Sequence, residues 1–223
     1  MKPILVFDYD GTLHETLRVY KPGIDGAVKW LRSECGIDVR MPSDQKVKKW
    51  LGMNTADMWE DFMPELEPSL KAEAGRLVGR IMLEEIRAGH GRWYPGVREK
   101  LDLLRQRGYT MVVLSNCERE YADLNRKAFG MDRWFDAFYD CASYGYIAKE
   151  EIMKLVAADH KEKNGAQKTR FVVIGDRGSD FAAAKSVGAP FIWCAYGYGS
   201  REEFAADRLF VIEDPSKPVV CKS

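Results

Sequence analysis

The chain has 223 residues, of which 46% are hydrophobic, so it carries enough apolar material for a folded core and is not an intrinsically disordered protein. Its 34 basic and 34 acidic side chains balance, so no net charge attracts nucleic acid, an anionic membrane or an acidic partner. Any anion-binding surface must therefore be local.

Cysteine usage and the start of the chain indicate a compartment. The five cysteines form no C-x-x-C pair and are accompanied by only three histidines, which does not favour a zinc site. Their odd number favours free thiols in a reducing environment. The first residues lack the pattern of a signal peptide, and no apolar run reaches the roughly 20 residues of a membrane span. We expect a cytoplasmic protein.

The first predicted element is a buried strand over 3–7, which Asp8, Asp10 and Gly11 follow directly. In an extended segment Asp8 and Asp10 point the same way. Two like charges this close repel unless a cation or a shared proton relieves them, and Mg²⁺ prefers such oxygen ligands. A solvated Asp-Gly turn explains the pattern equally well at this point.

The next region holds no strong strand but several amphipathic helical patterns. Ser43 is an N-cap candidate for one helix, which Gly52 would end. The region is too long for a single crossover between strands. The sequence therefore predicts an all-helical domain over 15–92, inserted into a core formed by 1–14 and 93–223.

A second strand is predicted over 110–114, closed by Ser115 and Asn116. A hydroxyl and main-chain N–H groups at a strand-to-helix turn bind anions, although Ser-Asn is also an ordinary N-cap pair. Further along, Lys149 begins a helical pattern that carries Ile152 and Leu155. A lysine there would reach back to a phosphate and to Asp8, but spacing alone favours a solvated surface lysine over this role.

A third strong strand, over 170–174, leads into Gly175-Asp176-Arg177-Gly178-Ser179-Asp180. Asp176 and Asp180 add two carboxylates, whereas Ser179 or Asp180 also suits an ordinary helix N-cap. Strands over 191–194 and 209–212 follow. Strands that alternate with helices predict an α/β fold with a doubly wound parallel sheet, whose strand ends share one edge. Capping alone does not explain why three of those ends carry groups suited to one cation and one phosphate.

In order, these segments resemble the haloacid dehalogenase (HAD) superfamily of phosphatases and phosphotransferases, and within it phosphoglycolate phosphatase-like members. The four motifs of that family are matched by Asp8-x-Asp10-Gly11-Thr12, Ser115, Lys149 and Gly175-Asp176-x-x-x-Asp180. The insert is similar to the family's C1 cap, a helical bundle. Glu150 follows Lys149 where many relatives carry proline, which leaves Lys154 as an alternative. We prefer Lys149 because it falls in the first helical turn.

The resemblance implies a two-step phosphoryl transfer. Asp8 attacks phosphorus, water hydrolyses the aspartyl phosphate, and Asp10 acts as general acid and then as base. Mg²⁺ is held by Asp8, by the main-chain carbonyl of Asp10 and by Asp176. Asp180 ligates through water or orients Lys149. The phosphoryl oxygens are held by Lys149 and by Ser115, Asn116, Gly11 and Thr12.

In C1 members the cap mainly selects the substrate, and Gly52, Met53 and Asn54 are similar to its specificity loop. Trp50 and Trp59 are expected in the core of the helical domain rather than on a ligand. We expect a Mg²⁺-dependent phosphatase of small phosphorylated metabolites, such as phosphoglycolate or sugar phosphates. A sugar phosphomutase is the alternative enzyme, and a receiver-like phosphoacceptor module is the alternative that is not an enzyme.

Overall fold

The computed structural model describes residues 2–53, 55–163, 169–205 and 209–222. The chain divides into two compact units, one made of 1–15 with 93–223 and the other of 16–92. The first unit is an α/β fold, and the second is built of helices. None of the helices in the described ranges is long and apolar enough to cross a membrane.

A sheet of seven strands, counted over the described residues, forms the centre of the α/β unit, in the order β3-β2-β1-β4-β5-β6-β7. The strands are β1 (Ile4–Phe7), β2 (Met111–Ser115), β3 (Ala137–Asp140), β4 (Phe171–Gly175), β5 (Phe191–Cys194), β6 (Leu209–Ile212) and β7 (Val220–Lys222). Strands β1 to β6 are parallel, which confirms the α/β class and the parallel sheet. Strand β7 pairs antiparallel with β6, so the sheet is mixed at that edge.

Strands β3 and β7 were not among the predicted elements. The β3 sequence Ala-Phe-Tyr-Asp has no β-branched residue, and each of its side chains is half-buried at the edge of the sheet. Strand β7 has three residues and forms the opposite edge. Edge strands bury little surface, so their sequences lack the apolar run that marks a central strand.

Strand β1 lies between β2 and β4 in the sheet. Val6 is paired with Val112 of β2 on one side and with Val173 of β4 on the other. All four β1 residues are buried, as expected for a parallel strand covered on both faces. The strands before the first, second and fourth family-like motifs are therefore direct neighbours.

The helices, in chain order, are α1 (Leu17–Ser33), α2 (Asp44–Trp50), α3 (Thr55–Phe62), α4 (Pro68–Arg87), α5 (Val97–Gln106), α6 (Arg119–Phe129), α7 (Lys149–Lys163) and α8 (Gly178–Ser186). In α7 the buried side chains include Ile152, Met153 and Val156, whereas Leu155 is 50% exposed. The predicted helix is present, but Leu155, one of the residues that marked it, lies outside its buried face. At about 100° per residue, the buried arc runs from Ile152 through Val156 to Met153, and Leu155 falls outside it.

The helical unit has a core of its own. The side chain of Ser43 accepts a hydrogen bond from the main-chain N–H of Lys46 at 3.3 Å, which confirms it as the N-cap of α2. Trp50 and Trp59 are each 1% exposed, as predicted for core residues. They pack with residues of α1 and α4 that include Ile24, Val28, Leu31, Ala74 and Val78.

Candidate active site

Asp8, Ser115 and Asp176 lie at the carboxyl ends of three neighbouring strands. Asp8 follows β1 and donates its main-chain N–H to the carbonyl of Ile174 at 2.8 Å, which continues the pairing with β4. Ser115 is the last residue of β2, and Asp176 comes directly after β4. All three side chains are buried. The parallel sheet thus brings three distant parts of the sequence to one edge.

Lys149 connects the first and fourth motifs. Its ammonium nitrogen donates to Oδ1 of Asp8 and to Oδ1 of Asp180, each at 2.5 Å, and the residue is 5% exposed. It lies on the same arc of α7 as Ile152 and Val156, the face turned to the core. Lys154 lies on the opposite side of the helix, where it is half exposed and pairs with Glu151 at 2.6 Å. The helical position thus separates the two candidate lysines.

Asp180 has two tasks, one for each carboxylate oxygen. Oδ2 accepts the main-chain N–H groups of Asp176 and Arg177, at 3.1 and 2.9 Å, and so caps the start of α8. Oδ1 accepts from Lys149. The N-cap of α8 is Arg177, so the expectation that Ser179 or Asp180 is the N-cap was wrong. Asp180 is the third residue of the helix, and its carboxylate serves both the helix start and the site. Gly175 permits the close approach, because a Cβ atom there would lie 2.3 Å from Cγ of Asp180.

Asp176 is held by a loop whose role the sequence did not reveal. The main-chain N–H of Tyr198 donates to Oδ2 of Asp176 at 2.7 Å, and Thr12 donates its hydroxyl to Oδ1 at 3.3 Å. A Cβ atom at Gly197 would lie 2.4 Å from Cβ of Asp176, and one at Gly199 would overlap its carbonyl oxygen. The two glycines after β5 permit this close approach because they have no side chain.

Gly11 is required by its conformation and by its surroundings. Its φ is +85°, in the left-handed region that favours glycine. A Cβ atom at this position would lie 2.3 Å from Oδ2 of Asp176 and 2.7 Å from the ring of Tyr198. The first motif can therefore approach the fourth only because residue 11 has no side chain.

The carboxylates of Asp8, Asp176 and Asp180 each bring an oxygen within 4.8 Å of the others. Burial, followed by the charge of Asp180, raises the pKa of Asp8 well above its usual range. The same two causes raise the pKa of Asp176 to about 7. Burial opposes the charge of Lys149, yet the charges of Asp180 and Asp8 outweigh it and raise its pKa.

These electrostatics decide whether the residues fit a metal ion. One ammonium group, that of Lys149, faces the three carboxyl groups of Asp8, Asp176 and Asp180. The raised pKa values of Asp8 and Asp176 show that a second negative charge in this cluster is unfavourable unless a cation offsets it. A hard divalent cation binds clustered carboxylate oxygens and offsets such charge. The residues present therefore fit a divalent metal.

Asp10 lies beside this cluster and belongs to a different set of contacts. Its Oδ1 accepts from the hydroxyl of Tyr121 at 3.1 Å, and His14 Nδ1 lies 3.8 Å from the same oxygen. Its carboxylate is not part of the metal-compatible group formed by Asp8, Asp176 and Asp180 among the described residues. The resemblance assigns its main-chain carbonyl, and not its side chain, to the metal.

The remaining predicted residues lie in both units. In the α/β unit, Asn116 follows Ser115 and is exposed, and its carbonyl accepts from the thiol of Cys141 at 2.9 Å. In the helical unit, Gly52 and Met53 connect α2 with α3. The predicted loop residue Asn54 lies outside the described residues.

Comparison with known proteins identifies the family. The family model of a haloacid dehalogenase-like hydrolase matches residues 3–188, which is most of the chain. The chain belongs to the haloacid dehalogenase-like hydrolase family. It is therefore an enzyme, and its named relatives place it among the family's phosphoric monoester hydrolases. This membership favours the enzyme over the receiver-like module.

Individual members of the haloacid dehalogenase-like family are similar along nearly the whole chain. A phosphoglycolate phosphatase of Agrobacterium fabrum is 31% identical over 96% of this chain and 89% of its own. A 5′-nucleotidase of Pseudomonas aeruginosa is 26% identical over 92% of this chain and 87% of its own. The crystal structure of a predicted phosphoglycolate phosphatase from Haemophilus somnus superimposes with a TM-score of 0.77 at 22% identity, covering 96% and 94%. The structural likeness agrees with the fold.

Proposed function

We propose that this hydrolase is a Mg²⁺-dependent phosphatase of small phosphorylated metabolites, with Asp8 as its nucleophile. The observation that carries the proposal is the buried contact of Lys149 with Asp8, beside the carboxylates of Asp176 and Asp180. A carboxylate attacks a phosphate ester only when the repulsion between the two anions is offset. An ammonium group on Oδ1 of Asp8 supplies part of that offset.

In the first step an oxygen of Asp8 forms a bond to phosphorus while the bond from phosphorus to the ester oxygen breaks. The product is an aspartyl phosphate and a free alcohol. Ser115, the main-chain N–H of Asn116 and Lys149 hold the phosphoryl oxygens. The N–H groups of Gly11 and Thr12, also expected in this role, instead donate to the carbonyls of His14 and Tyr9, at 3.0 and 3.3 Å. The burial of Ser115 and Lys149 supports their role, because fixed donors need no reorganisation during the reaction.

Asp10 handles the proton in both steps. As a general acid it donates a proton to the departing ester oxygen, and as a base it takes one from the water that attacks the aspartyl phosphate. Phosphate leaves, and Asp8 and Asp10 return to their starting forms. Its place two residues after Asp8, outside the acidic cluster, supports this separate role.

Asp8, Asp176 and the main-chain carbonyl of Asp10 would hold the divalent ion, with Asp180 acting through water or through Lys149. When bound, the ion supplies positive charge that reduces the repulsion between nucleophile and phosphate. Tyr198 and Thr12 keep the Asp176 carboxylate in place through their hydrogen bonds.

We further propose that the helical unit, residues 16–92, acts as a cap whose loop Gly52, Met53 and Asn54 selects the leaving group. The names of its relatives suggest phosphoglycolate and nucleoside 5′-monophosphates as first substrates, beside sugar phosphates. The five cysteines are all free thiols, which supports a reducing, cytoplasmic location.

Asp8→Asn tests the proposal, assayed by phosphate release from p-nitrophenyl phosphate and from a panel of these metabolites with Mg²⁺. We expect loss of activity on every substrate, whereas Asp159→Asn, which removes an exposed carboxylate paired with Lys163, keeps it. Full activity of Asp8→Asn would remove the nucleophile. An isomerised sugar phosphate as the main product, in place of free phosphate, would favour the mutase.

A further inference from the structure

The hydroxyl of Tyr121, a buried residue of α6, lies between two polar groups of the first motif. It donates to Oδ1 of Asp10 at 3.1 Å and lies 3.2 Å from Nδ1 of His14. The direct distance from His14 Nδ1 to that oxygen is 3.8 Å, too long for a hydrogen bond. The hydroxyl therefore forms the hydrogen-bonded link between the imidazole and the carboxylate.

Further buried contacts hold the Tyr121 ring in place. Asn125 donates its amide to the carbonyl of Tyr121 at 2.9 Å and accepts from the hydroxyl of Tyr9 at 2.8 Å. Trp93 donates its indole N–H to that same hydroxyl at 3.4 Å. The ring of His14 stacks on Tyr9 with 5.2 Å between centroids and 11° between planes. Because each partner is fixed by another, the Tyr121 hydroxyl is preorganised.

We infer that Tyr121 is a positioning residue that orients the carboxyl group of Asp10 for proton transfer to the leaving group. The inference rests on the proposed role of Asp10. A hydroxyl that donates to Oδ1 keeps that oxygen an acceptor, so a proton carried by Asp10 resides on Oδ2.

The inference predicts an effect that depends on the leaving group. Protonation by a general acid matters most when the departing oxygen is strongly basic, as in an alkyl phosphate, and least for p-nitrophenol. The specificity constant kcat/KM covers the reaction up to the transfer of phosphorus to Asp8, where the leaving group departs. A misaligned Asp10 therefore lowers kcat/KM selectively for alkyl esters.

The experiment compares wild type with Tyr121→Phe on two substrates. These are p-nitrophenyl phosphate and the alkyl phosphate of the panel that wild type hydrolyses fastest. We expect kcat/KM to fall about tenfold or more for the alkyl ester and less than about threefold for the nitrophenyl ester. An equal fall on both substrates, or none, overturns the inference.

Asp10→Asn and Tyr9→Phe serve as references. Asp10→Asn should show the same selective loss of kcat/KM on the alkyl ester, and the loss should be larger. If Asp10→Asn lowers kcat/KM equally on both substrates, the general-acid assignment fails together with the inference. Tyr9→Phe removes a buried hydroxyl of the same network that donates to Asn125 and not to Asp10. It should lower the melting temperature without changing the ratio of the two kcat/KM values, and a changed ratio would assign the effect to packing.

His14→Gln gives a second route if Tyr121→Phe does not fold. This variant keeps the Tyr121 hydroxyl but changes the group 3.2 Å from it. We expect a selective loss on the alkyl ester, smaller than that of Asp10→Asn. An unchanged ratio of kcat/KM values in a folded His14→Gln protein contradicts the inference, whereas Asp8→Asn reports separately on the phosphatase mechanism.

Discussion

The ammonium nitrogen of Lys149 lies 2.5 Å from Oδ1 of Asp8, in a buried ion pair that joins the first turn of α7 to the end of β1. The two residues are 141 positions apart in the sequence. Oδ1 of Asp180 accepts a hydrogen bond from the same ammonium group, also at 2.5 Å. Lys149 therefore sets the charge balance of the whole acidic cluster.

Lys149→Met should lower kcat about 100-fold or more, because it removes a fixed positive charge beside the nucleophile. Lys154→Met is the matched control, since Lys154 belongs to the same helix but is half exposed and pairs with Glu151. Steady-state kinetics on p-nitrophenyl phosphate measure both. Equal losses in the two variants would contradict the assignment of Lys149 to the site.

Mg²⁺ should raise the melting temperature of protein that has been treated with chelator. An ion at 100 times its Kd adds about 2.7 kcal/mol to the free energy of unfolding. For a chain of this size that corresponds to roughly 5–10 °C. Asp176→Asn should reduce the shift, because it removes one carboxylate of the cluster. Asp123→Asn, at an exposed residue paired with Arg119, should keep it. If Mg²⁺ raises the melting temperature of Asp176→Asn as much as that of wild type, the ion binds elsewhere.

Without metal, Asp176 should make the protein less stable as the pH rises. Its pKa is raised to about 7 by burial and by Asp180, whereas an aspartate of the unfolded chain has a pKa near 3.9. Between these values the folded state keeps a proton that the unfolded state has lost, so the free energy of unfolding falls from about pH 4 to about pH 7. The raised pKa of Asp8 acts in the same direction.

Urea unfolding in chelator, at several pH values in that window, measures this effect. The difference in the free energy of unfolding between wild type and Asp176→Asn isolates the contribution of residue 176. The free energy of unfolding of wild type, relative to that of Asp176→Asn, should be higher at pH 5 than at pH 7.5. The opposite slope would mean that Asp176 is ionised in the folded, metal-free protein.

Gly11→Ala should lower both stability and activity, since it combines a φ of +85° with a Cβ atom 2.3 Å from Oδ2 of Asp176. Gly108→Ala separates the two effects, because Gly108 has a φ of +70° but, within the described part of the chain, open space for 4 Å around the position that a Cβ atom would take. Gly108→Ala should lower the free energy of unfolding, measured with urea, by about 1 kcal/mol and keep wild-type activity. Similar kinetics for both alanine variants would argue that the approach of Gly11 to Asp176 has no role in catalysis.

Local patterns in the sequence predicted most of the sheet and the family. The strands before Asp8, Ser115 and Asp176 are central and buried, so their apolar runs stand out, and the family match confirms the resemblance drawn from the motifs. The half-buried edge strand β3 was missed, because partial burial leaves no clear pattern.

The order of strands and helices, the turn at Gly11 and the cap at Ser43 are determined by the sequence itself, because apolar periodicity and backbone freedom act over a few residues. The choice of Lys149 over Lys154, the loop of Tyr198 against Asp176 and the contact of Tyr121 with Asp10 arise only in the tertiary structure. They join residues 22 to 141 positions apart, and such distances depend on how the whole sheet packs with its helices.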